Sequence, residues 1–279
     1  MTIDGTTAFG LGTADMKSGC AAMIEAFTSH YERRGGIAGA ALSLVVGEEE
    51  TGDGAAALVD EVHPAWSVVA EPTDMVPALA HYGYIEIELD TSGERSHASM
   101  AKTNDSAVKT MLNLLLKMSQ HLDAAHPELI CNIRDVHSSE GGFAVPDSCS
   151  ASIDLHVPPK ANLGKLVSEI EELNQSMNGR KAELSFETVH NGYDLPMQGL
   201  LPEIITKVYK EQGLPLKTAP FRSHSDASIL WASGIRPIIL GPGQLSKAHT
   251  YHESVEIPQV EQAAHIYYRI LHELENVKE

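Results

Sequence analysis

An apolar run that ends in three consecutive carboxylates constrains this chain most. The segment Ala40 to Glu50 reads Ala-Ala-Leu-Ser-Leu-Val-Val-Gly-Glu-Glu-Glu. Its apolar part, 40–47, predicts a buried strand. In an open α/β sheet, ligands bind just beyond the carboxyl ends of the strands. We therefore expect this segment to carry acidic side chains to one edge of a sheet.

Two further predicted strands end in the same way. The segment 66–71, Trp-Ser-Val-Val-Ala-Glu, ends in a carboxylate, and the segment 235–243, Ile-Arg-Pro-Ile-Ile-Leu-Gly-Pro-Gly, leads to a histidine. The side chains that the three strands would bring to one edge are Glu49, Glu50, Glu71 and His249. Carboxylate oxygens together with an imidazole favour a zinc-like divalent metal.

Composition excludes several classes of function. The 279 residues, 43% of them hydrophobic, suffice for a well-buried core and for two domains. The net charge of -18, without a Lys/Arg cluster, disfavours nucleic acid and anionic membranes as partners. No apolar stretch approaches the roughly 18 residues that cross a bilayer, and the first residues lack signal-peptide features. Three cysteines without C-x-x-C spacing predict a reducing, cytoplasmic location.

The order of the predicted elements divides the chain into two domains. Strands and helices alternate up to about residue 80 and again after 190, which favours a parallel sheet. Strict alternation over 84–90 instead indicates a strand with one solvated face. The segments 84–90, 104–121, 129–136, 149–157, 162–178 and 182–189 then give the β-α-β-β-α-β order of a ferredoxin-like domain. We predict a mostly parallel α/β domain from 1–80 and 191–279, with an α+β domain inserted at 81–190.

Each candidate site residue also has a purely structural interpretation. Asp15 stands where a helix N-cap belongs. The run 48–50 fits a solvated charge run, and 71–74, Glu-Pro-Thr-Asp, fits a plain turn because proline restricts the preceding residue. The order of the signals along the chain, rather than any one of them, points to a metal site.

Four segments carry a resemblance to a known family. Segment 10–19, Gly-Leu-Gly-Thr-Ala-Asp-Met-Lys-Ser-Gly, resembles a G-x-G-x-x-D-M-K-x-G motif, and 49–52 resembles E-E-x-G. Segment 70–73, Ala-Glu-Pro-Thr, resembles E-P-T/S, and 248–253, Ala-His-Thr-Tyr-His-Glu, resembles A-H-x-x-x-E. These motifs, in this order, are those of the zinc-dependent aminoacylase and carboxypeptidase family. That family includes acetylornithine deacetylase, succinyl-diaminopimelate desuccinylase and glutamate carboxypeptidase.

The resemblance implies a di-metal hydrolase whose inserted lid domain forms a homodimer. Asp15 would bridge two zinc ions, with cobalt as an alternative metal. The remaining ligands would be Glu50, Glu71 and His249. Glu49 would be the general base, which takes a proton from the attacking water and passes it to the leaving amine. Segment 96–99 resembles the lid segment whose histidine, here His97, reaches the partner subunit's active site and stabilises the amide oxygen.

The chain also departs from the family pattern. The family places a further metal-binding histidine in an H-x-D motif, tens of residues before the first segment. Here 14 residues precede Asp15, and none of them is histidine. We therefore expect a weakened or empty second metal position, and a chain that is an N-terminally truncated form of the family, whether by reading frame, gene degradation or fragmentation.

Other departures fall where the family binds substrate. His156 stands where an arginine often holds a substrate carboxylate, and 143–147, Phe-Ala-Val-Pro-Asp, replaces Asn-Val-Val-Pro-Asp. The candidate substrate-binding residues are Arg222, Asp226, Gly241, Gly243 and His156. Plain loop or surface roles are the alternative for these polar side chains.

Three hypotheses follow for the function. The first is a deacylase of small N-acyl amino acids, close to acetylornithine deacetylase, in amino-acid metabolism. The second is a di- or tripeptidase or carboxypeptidase with the same metals and base. The third is a non-catalytic remnant that only folds and dimerises.

Overall fold

The computed structural model describes residues 1–37, 39–101, 106–139, 141–178 and 182–277. It is a mixed α/β structure, which confirms the predicted fold class. Its contacts separate two compact units. Unit 1 comprises Met1–His81, Asp194–Phe221 and Ser225–Glu279. Unit 2 comprises Tyr82–Tyr193 together with Arg222–His224, whereas the sequence suggested an insert at 81–190.

The elements are numbered in chain order. The strands are β1 (Thr2–Asp4), β2 (Thr7–Phe9), β3 (Trp66–Val69), β4 (Ala80–His81), β5 (Gly83–Ser92), β6 (Ile130–Ser138), β7 (Ser148–Val157), β8 (Ala182–His190), β9 (Tyr193–Asp194), β10 (Pro220–Phe221), β11 (Arg236–Ile239) and β12 (Ser254–Glu256). The α-helices are α1 (Ser18–Arg34), α2 (Asp53–Glu61), α3 (Ala107–Ala125), α4 (Leu163–Asn178), α5 (Leu200–Glu211), α6 (Ala227–Ala232) and α7 (Ile257–Glu275).

Unit 2 has the predicted β-α-β-β-α-β order. Its four strands form an antiparallel sheet in the order β6-β7-β5-β8. The alternating residues of β5 divide as the sequence predicts, because Ile85, Ile87 and Leu89 are fully buried. The apolar faces of α3 and α4 cover them in one hydrophobic core. The part of the predicted helix 104–121 at 104 and 105 lies outside the described residues.

Unit 1 contains the elements that carry the candidate site. Strand β3 pairs in parallel with β11, and β4 pairs in parallel with β10. An antiparallel sheet of β1, β2 and β12, which the sequence did not predict, joins the first residues to the segment after His249. Helix α1 packs along α7, and α7 also packs against α5.

The predicted strand 40–47 is wrong. Residues 40–46 have no assigned secondary structure, and Leu44, Val45 and Val46 are exposed. A strand needs a neighbour for its backbone N–H and C=O groups, and none of the described segments pairs with this one. An apolar pattern alone does not specify a pairing partner, so it predicted a buried strand where none forms.

Among the described residues, no helix combines the length and the apolar character needed to span a bilayer.

Candidate metal centre

Asp15 lies in an irregular turn before α1. Residues Thr13–Lys17 form a π-helical turn, inside which Asp15 has the non-helical angles φ -118° and ψ 98°. The Asp15–Met16 peptide bond is cis. The N-cap of α1 is Lys17, so Asp15 is not a capping residue. Its side chain, only 12% exposed, is directed elsewhere.

A buried glutamate holds this turn in place. Glu253 is 3% exposed, and its carboxylate accepts hydrogen bonds from three backbone N–H groups at the start of the turn. The backbone N–H of Gly12 donates to Oε2 at 3.0 Å, and those of Ala14 and Asp15 donate to Oε1 at 2.9 and 3.0 Å. Glu253 closes the A-H-x-x-x-E motif, but the motif alone predicted no role for it. Its contacts make it the residue that positions Asp15.

His249 lies on the loop between β11 and β12. Its Nε2 is 3.5 Å from Oδ2 of Asp15 and 3.0 Å from Oε2 of Glu49. Its φ of 56° is left-handed, a conformation that non-glycine residues rarely adopt and that is often found at functional sites. A cavity of about 750 Å³ opens onto these side chains. Its lining is Leu11, Gly12, Asp15, Lys17, Glu49, His249, Thr250, Tyr251 and Glu253.

Glu71 follows β3 and is buried against Asp15. It is 3% exposed, and its Oε1 has no hydrogen-bond partner among the described residues. Burial, the carboxylates of Glu48 and Asp15, and a hydrogen bond with Asp15 raise the pKa of Glu71 well above its ordinary value. A plain turn does not explain a carboxyl group in this position, because burying an unpaired carboxylate is costly. Asp15 therefore has Glu71 as one neighbour and His249 as the other.

The three consecutive glutamates differ in environment. Glu49 is in the cluster with Asp15 and His249, where ligand atoms of all three lie within 4.8 Å of one another. Glu48 is half-buried, and burial together with Glu49, Asp226 and Asp15 raises its pKa to about 8. Glu50 is exposed and lies outside that cluster. The sequence analysis singled out Glu49 and Glu50 and did not foresee Glu48.

The other candidates in unit 1 border the acidic cluster. Asp226 is 6% exposed, and burial, followed by the charge of Asp53, raises its pKa to about 6. Gly241 lies so close to the ends of the neighbouring strand that a Cβ would overlap the carbonyl oxygen of Ala70. Gly243 has a φ of 92° and donates its N–H to Gln259. The two glycines shape the backbone here.

Unit 2 holds the remaining predicted residues. His97 is exposed, with its Nδ1 2.8 Å from the Ser99 hydroxyl. Arg222 is exposed and lies over the ring of Tyr82, with 5.9 Å between its Cζ and the ring centroid. His156 is half-buried, and burial lowers its pKa.

An unforeseen group of rings surrounds His156. The ring centroid of Tyr84 is 5.5 Å from that of His156 and 5.0 Å from that of His224. His224 Nε2 is 2.9 Å from Nδ1 of His190. Burial, then the nearby histidines, lowers the pKa of His224 to about 4, so the His224 ring is neutral at pH 7. Only their spacing in the folded unit reveals the group, because they are far apart in sequence.

The donor set in unit 1 suits a divalent metal. Ligand atoms of Asp15, Glu49 and His249 lie within 4.8 Å of one another, and the orphaned Oε1 of Glu71 needs a partner. Zinc accepts this combination of ligands. The side chains therefore fit the metal that the resemblance implies.

Comparison with protein families identifies the family of this chain. Residues 1–273 match the family described as Peptidase family M20/M25/M40. This chain belongs to that family. Membership in this peptidase family makes the chain a metallohydrolase by descent, and it confirms the resemblance stated from the motifs.

Solved structures share the fold of this M20 member. A tripeptidase from Staphylococcus aureus has 21% identity and a TM-score of 0.82, over 99% of this chain and 76% of that one. The aminopeptidase PepT from Bacillus cereus has 19% identity and a TM-score of 0.75, over 98% and 76%. The dipeptidase Dug1p from Saccharomyces cerevisiae has 12% identity and a TM-score of 0.75, over 98% and 74%. This chain thus spans about three quarters of each.

Proposed function

We propose that this chain hydrolyses an amide bond in a small peptide, with a divalent metal held at Asp15. The observation that carries this proposal is the position of Asp15 between a buried carboxyl group, Glu71, and an imidazole, His249. A carboxylate with a potential ligand on each side is suited to bridging two cations. Asp15, Glu71 and His249 are the proposed ligands, with zinc or cobalt as the metal.

A divalent ion at such a site lowers the pKa of a bound water and polarises a carbonyl group. The chain's own residues then have to move one proton. We assign this step to Glu49, whose carboxylate faces the cavity and is 59% exposed, so substrate and water have access to it. Glu49 would take a proton from the attacking water and deliver it to the leaving amine.

Two glutamates are alternative candidates for the fourth metal ligand. The resemblance favours Glu50, which follows the base in the E-E-x-G motif. The raised pKa of Glu48 supports Glu48 instead, because a cation would relieve the repulsion among the buried carboxyl groups. Replacing each glutamate by glutamine separates the roles, since a lost ligand weakens metal binding whereas a lost base slows turnover.

The substrate side of the proposal comes from other residues. Arg222 is proposed to bind a substrate carboxylate, because its charge complements that group, and Asp226 is proposed separately to bind a substrate amine for the same reason. Gly241 and Gly243 are proposed to shape the backbone beside bound substrate, and His156 is a separate candidate for a substrate contact. In a homodimer, His97 is proposed to reach the partner subunit's active site and donate to the amide oxygen of the substrate bound there, a role that rests on the resemblance of segment 96–99.

Short peptides are the first proposed substrate class, and N-acyl amino acids are the second. The solved relatives with the same fold are named as a tripeptidase, an aminopeptidase and a dipeptidase. A deacylase is the second candidate, favoured by segment 241–250, in which Gly-Pro-Gly is followed by Lys-Ala-His-Thr. That segment resembles the acetylornithine deacetylase side of the family.

The test is a substrate screen on the full chain after chelation and reloading with zinc or cobalt. Release of amino acids would be followed for dipeptides, tripeptides, N-acetylornithine and N-succinyl-diaminopimelate. We expect metal-dependent turnover of a peptide. Turnover of the acylated amino acids alone would replace the peptidase by the deacylase. Absence of turnover with metal bound would leave the non-catalytic hypothesis.

Glu49→Gln tests the assigned base. Because a positioned general base contributes about 10²–10⁴ to the rate, we expect kcat to fall by that factor while metal content stays unchanged. Glu61→Gln, an exposed glutamate on α2, is the matched control. Full activity of Glu49→Gln would refute the assignment.

A further inference from the structure

A second group of potential metal ligands lies between α1 and α7. His30 comes from α1, and His272 and Glu275 come from α7. Ligand atoms of all three lie within 4.8 Å of one another. His30 is twelve residues beyond the start of α1, so it lies about 18 Å along the helix from Ser18. This group, the helix-pair cluster, is therefore separate from the Asp15 site.

The helix geometry explains why the three side chains meet. His272 and Glu275 are three residues apart, which places them on one face of α7. Helix α1 packs along α7 and directs His30 to that face. Metal sites within helical proteins are commonly built in this way, from side chains at i and i+3 on one helix and a further ligand on a facing helix.

His30 is the unusual member of the cluster. Its side chain is fully buried, yet neither ring nitrogen has a hydrogen-bond partner in the part of the chain that the structure describes. Its Nε2 is 3.5 Å from Oε2 of Glu275. Two ligands of a tetrahedral zinc, each about 2.0–2.1 Å from the ion, are roughly 3.4 Å apart. The pair is thus spaced as two ligands of one ion would be.

The guanidinium group of Arg34 lies beside these potential ligands. The Nη2 of Arg34 is 2.6 Å from Nδ1 of His272, and its Nε is 3.9 Å from Oε2 of Glu275. Arg34 lies one helical turn after His30, and 45% of its side chain is exposed. The Arg34 side chain can therefore move into solvent. Its positive charge opposes metal binding only while the guanidinium group lies beside His272 and Glu275.

We propose that His30, His272 and Glu275 form a second site for a zinc-class divalent metal. The guanidinium group of Arg34 competes with the metal for this site. Two neutral imidazoles and one carboxylate are a ligand set that zinc accepts, with a fourth position open to water. Bound there, the metal would link α1 to α7 and stabilise the folded chain by mass action. This inference does not depend on the proposed function.

Zinc titration of the full chain against a competing chelator dye tests the proposal. His272→Ala and Glu275→Gln should each weaken one zinc-binding event by about tenfold or more, the scale seen when supporting groups of metal sites are removed. Neither residue is fully buried, so both variants are expected to fold, unlike a truncation of His30. The Asp15 site is intact in all variants and contributes equally to each titration.

Arg34→Gln should strengthen zinc binding, whereas His272→Ala and Glu275→Gln should weaken it. Arg34→Gln removes the competing cation, so zinc should bind several-fold more tightly and raise Tm further than in the wild type. Arg33→Gln is the matched control, because the Arg33 guanidinium lies over Tyr268 instead of in the cluster. Equal zinc binding in the wild type, His272→Ala and Glu275→Gln overturns the site. Equal binding in Arg34→Gln and the wild type overturns the competition by Arg34.

Discussion

Glu253→Gln is the sharpest test of how the metal centre is positioned. The carboxylate of Glu253 uses both oxygens, Oε2 for the N–H of Gly12 and Oε1 for those of Ala14 and Asp15. An amide of the same shape has only one acceptor oxygen. In either orientation its NH₂ group would face a backbone N–H, and the better orientation sacrifices the Gly12 bond alone.

The magnitude follows from that one lost bond. A hydrogen bond to a charged group contributes about 1.5–3 kcal/mol, and a buried donor without a partner costs about 1–3 kcal/mol. We therefore expect Glu253→Gln to lower the free energy of unfolding by about 2–3 kcal/mol. That corresponds to a fall in Tm of roughly 4–10 °C for a chain of this size. Because the freed turn carries Asp15, zinc affinity should fall about tenfold or more.

Two measurements on the same protein check this reasoning. Chemical denaturation of the chelated chain gives the stability change, and a zinc competition titration gives the affinity change. Glu256→Gln is the control, because the Glu256 carboxylate is exposed and accepts from the hydroxyls of Thr6 and Thr7. A Glu253→Gln chain as stable as wild type would refute the energetic argument. A less stable chain with unchanged zinc affinity would refute the positioning role.

Two further predictions concern side chains around Asp15. Burial raises the pKa of Asp226 from 3.8 to about 6, so this carboxyl group alone should cost the metal-free chain about 3 kcal/mol of stability as the pH rises from about 4 to 6. Asp226→Asn should abolish that loss in denaturation curves taken across this pH range, and an unchanged slope would contradict the cause. His249→Ala should weaken zinc binding at the Asp15 site about tenfold or more in a competition titration. His252→Ala, an exposed neighbour on the same loop, should bind zinc as the wild type does.

The ferredoxin-like unit was predictable because its signals are local. Alternation along β5 specifies which face is buried, and the apolar stripes of α3 and α4 specify what covers that face. Period-2 and period-3.6 patterns need no knowledge of distant residues. The strand order β6-β7-β5-β8 then follows from the usual arrangement of this motif.

The segment 40–47 shows where local signals fail. Its apolar composition is that of a buried strand, but burial requires a neighbouring strand or helix. Among the described residues no segment pairs with it, and the side chains of Leu44 and Val46 face solvent. The three-stranded sheet of β1, β2 and β12 was missed for the opposite reason. Its strands have only three residues each, too short for a periodic pattern.

Part of the candidate cluster could be predicted from motifs, but its geometry could not. Asp15, Glu71 and His249 were each placed by a motif, and the structure brings them together. Which of three adjacent glutamates turns inward depends instead on the loop backbone, where Gly47 has a φ of 82°. A sequence pattern cannot specify that rotation, so Glu48 was not anticipated. Glu253 was visible as a motif residue, but its three backbone contacts depend on the folded turn.

A cation would relieve the charge repulsion within the acidic cluster. Burial and mutual repulsion raise the pKa of Glu48 to about 8 and that of Glu71 well above its ordinary value, so in the metal-free chain both carboxyl groups resist ionisation. A raised carboxyl pKa costs stability as the pH rises from about 4.5 towards the folded value. A divalent ion reverses that sign, because it stabilises the charged carboxylates and displaces their protons. Under the proposed function, the unfavourable charge arrangement of the metal-free cluster would therefore favour metal binding.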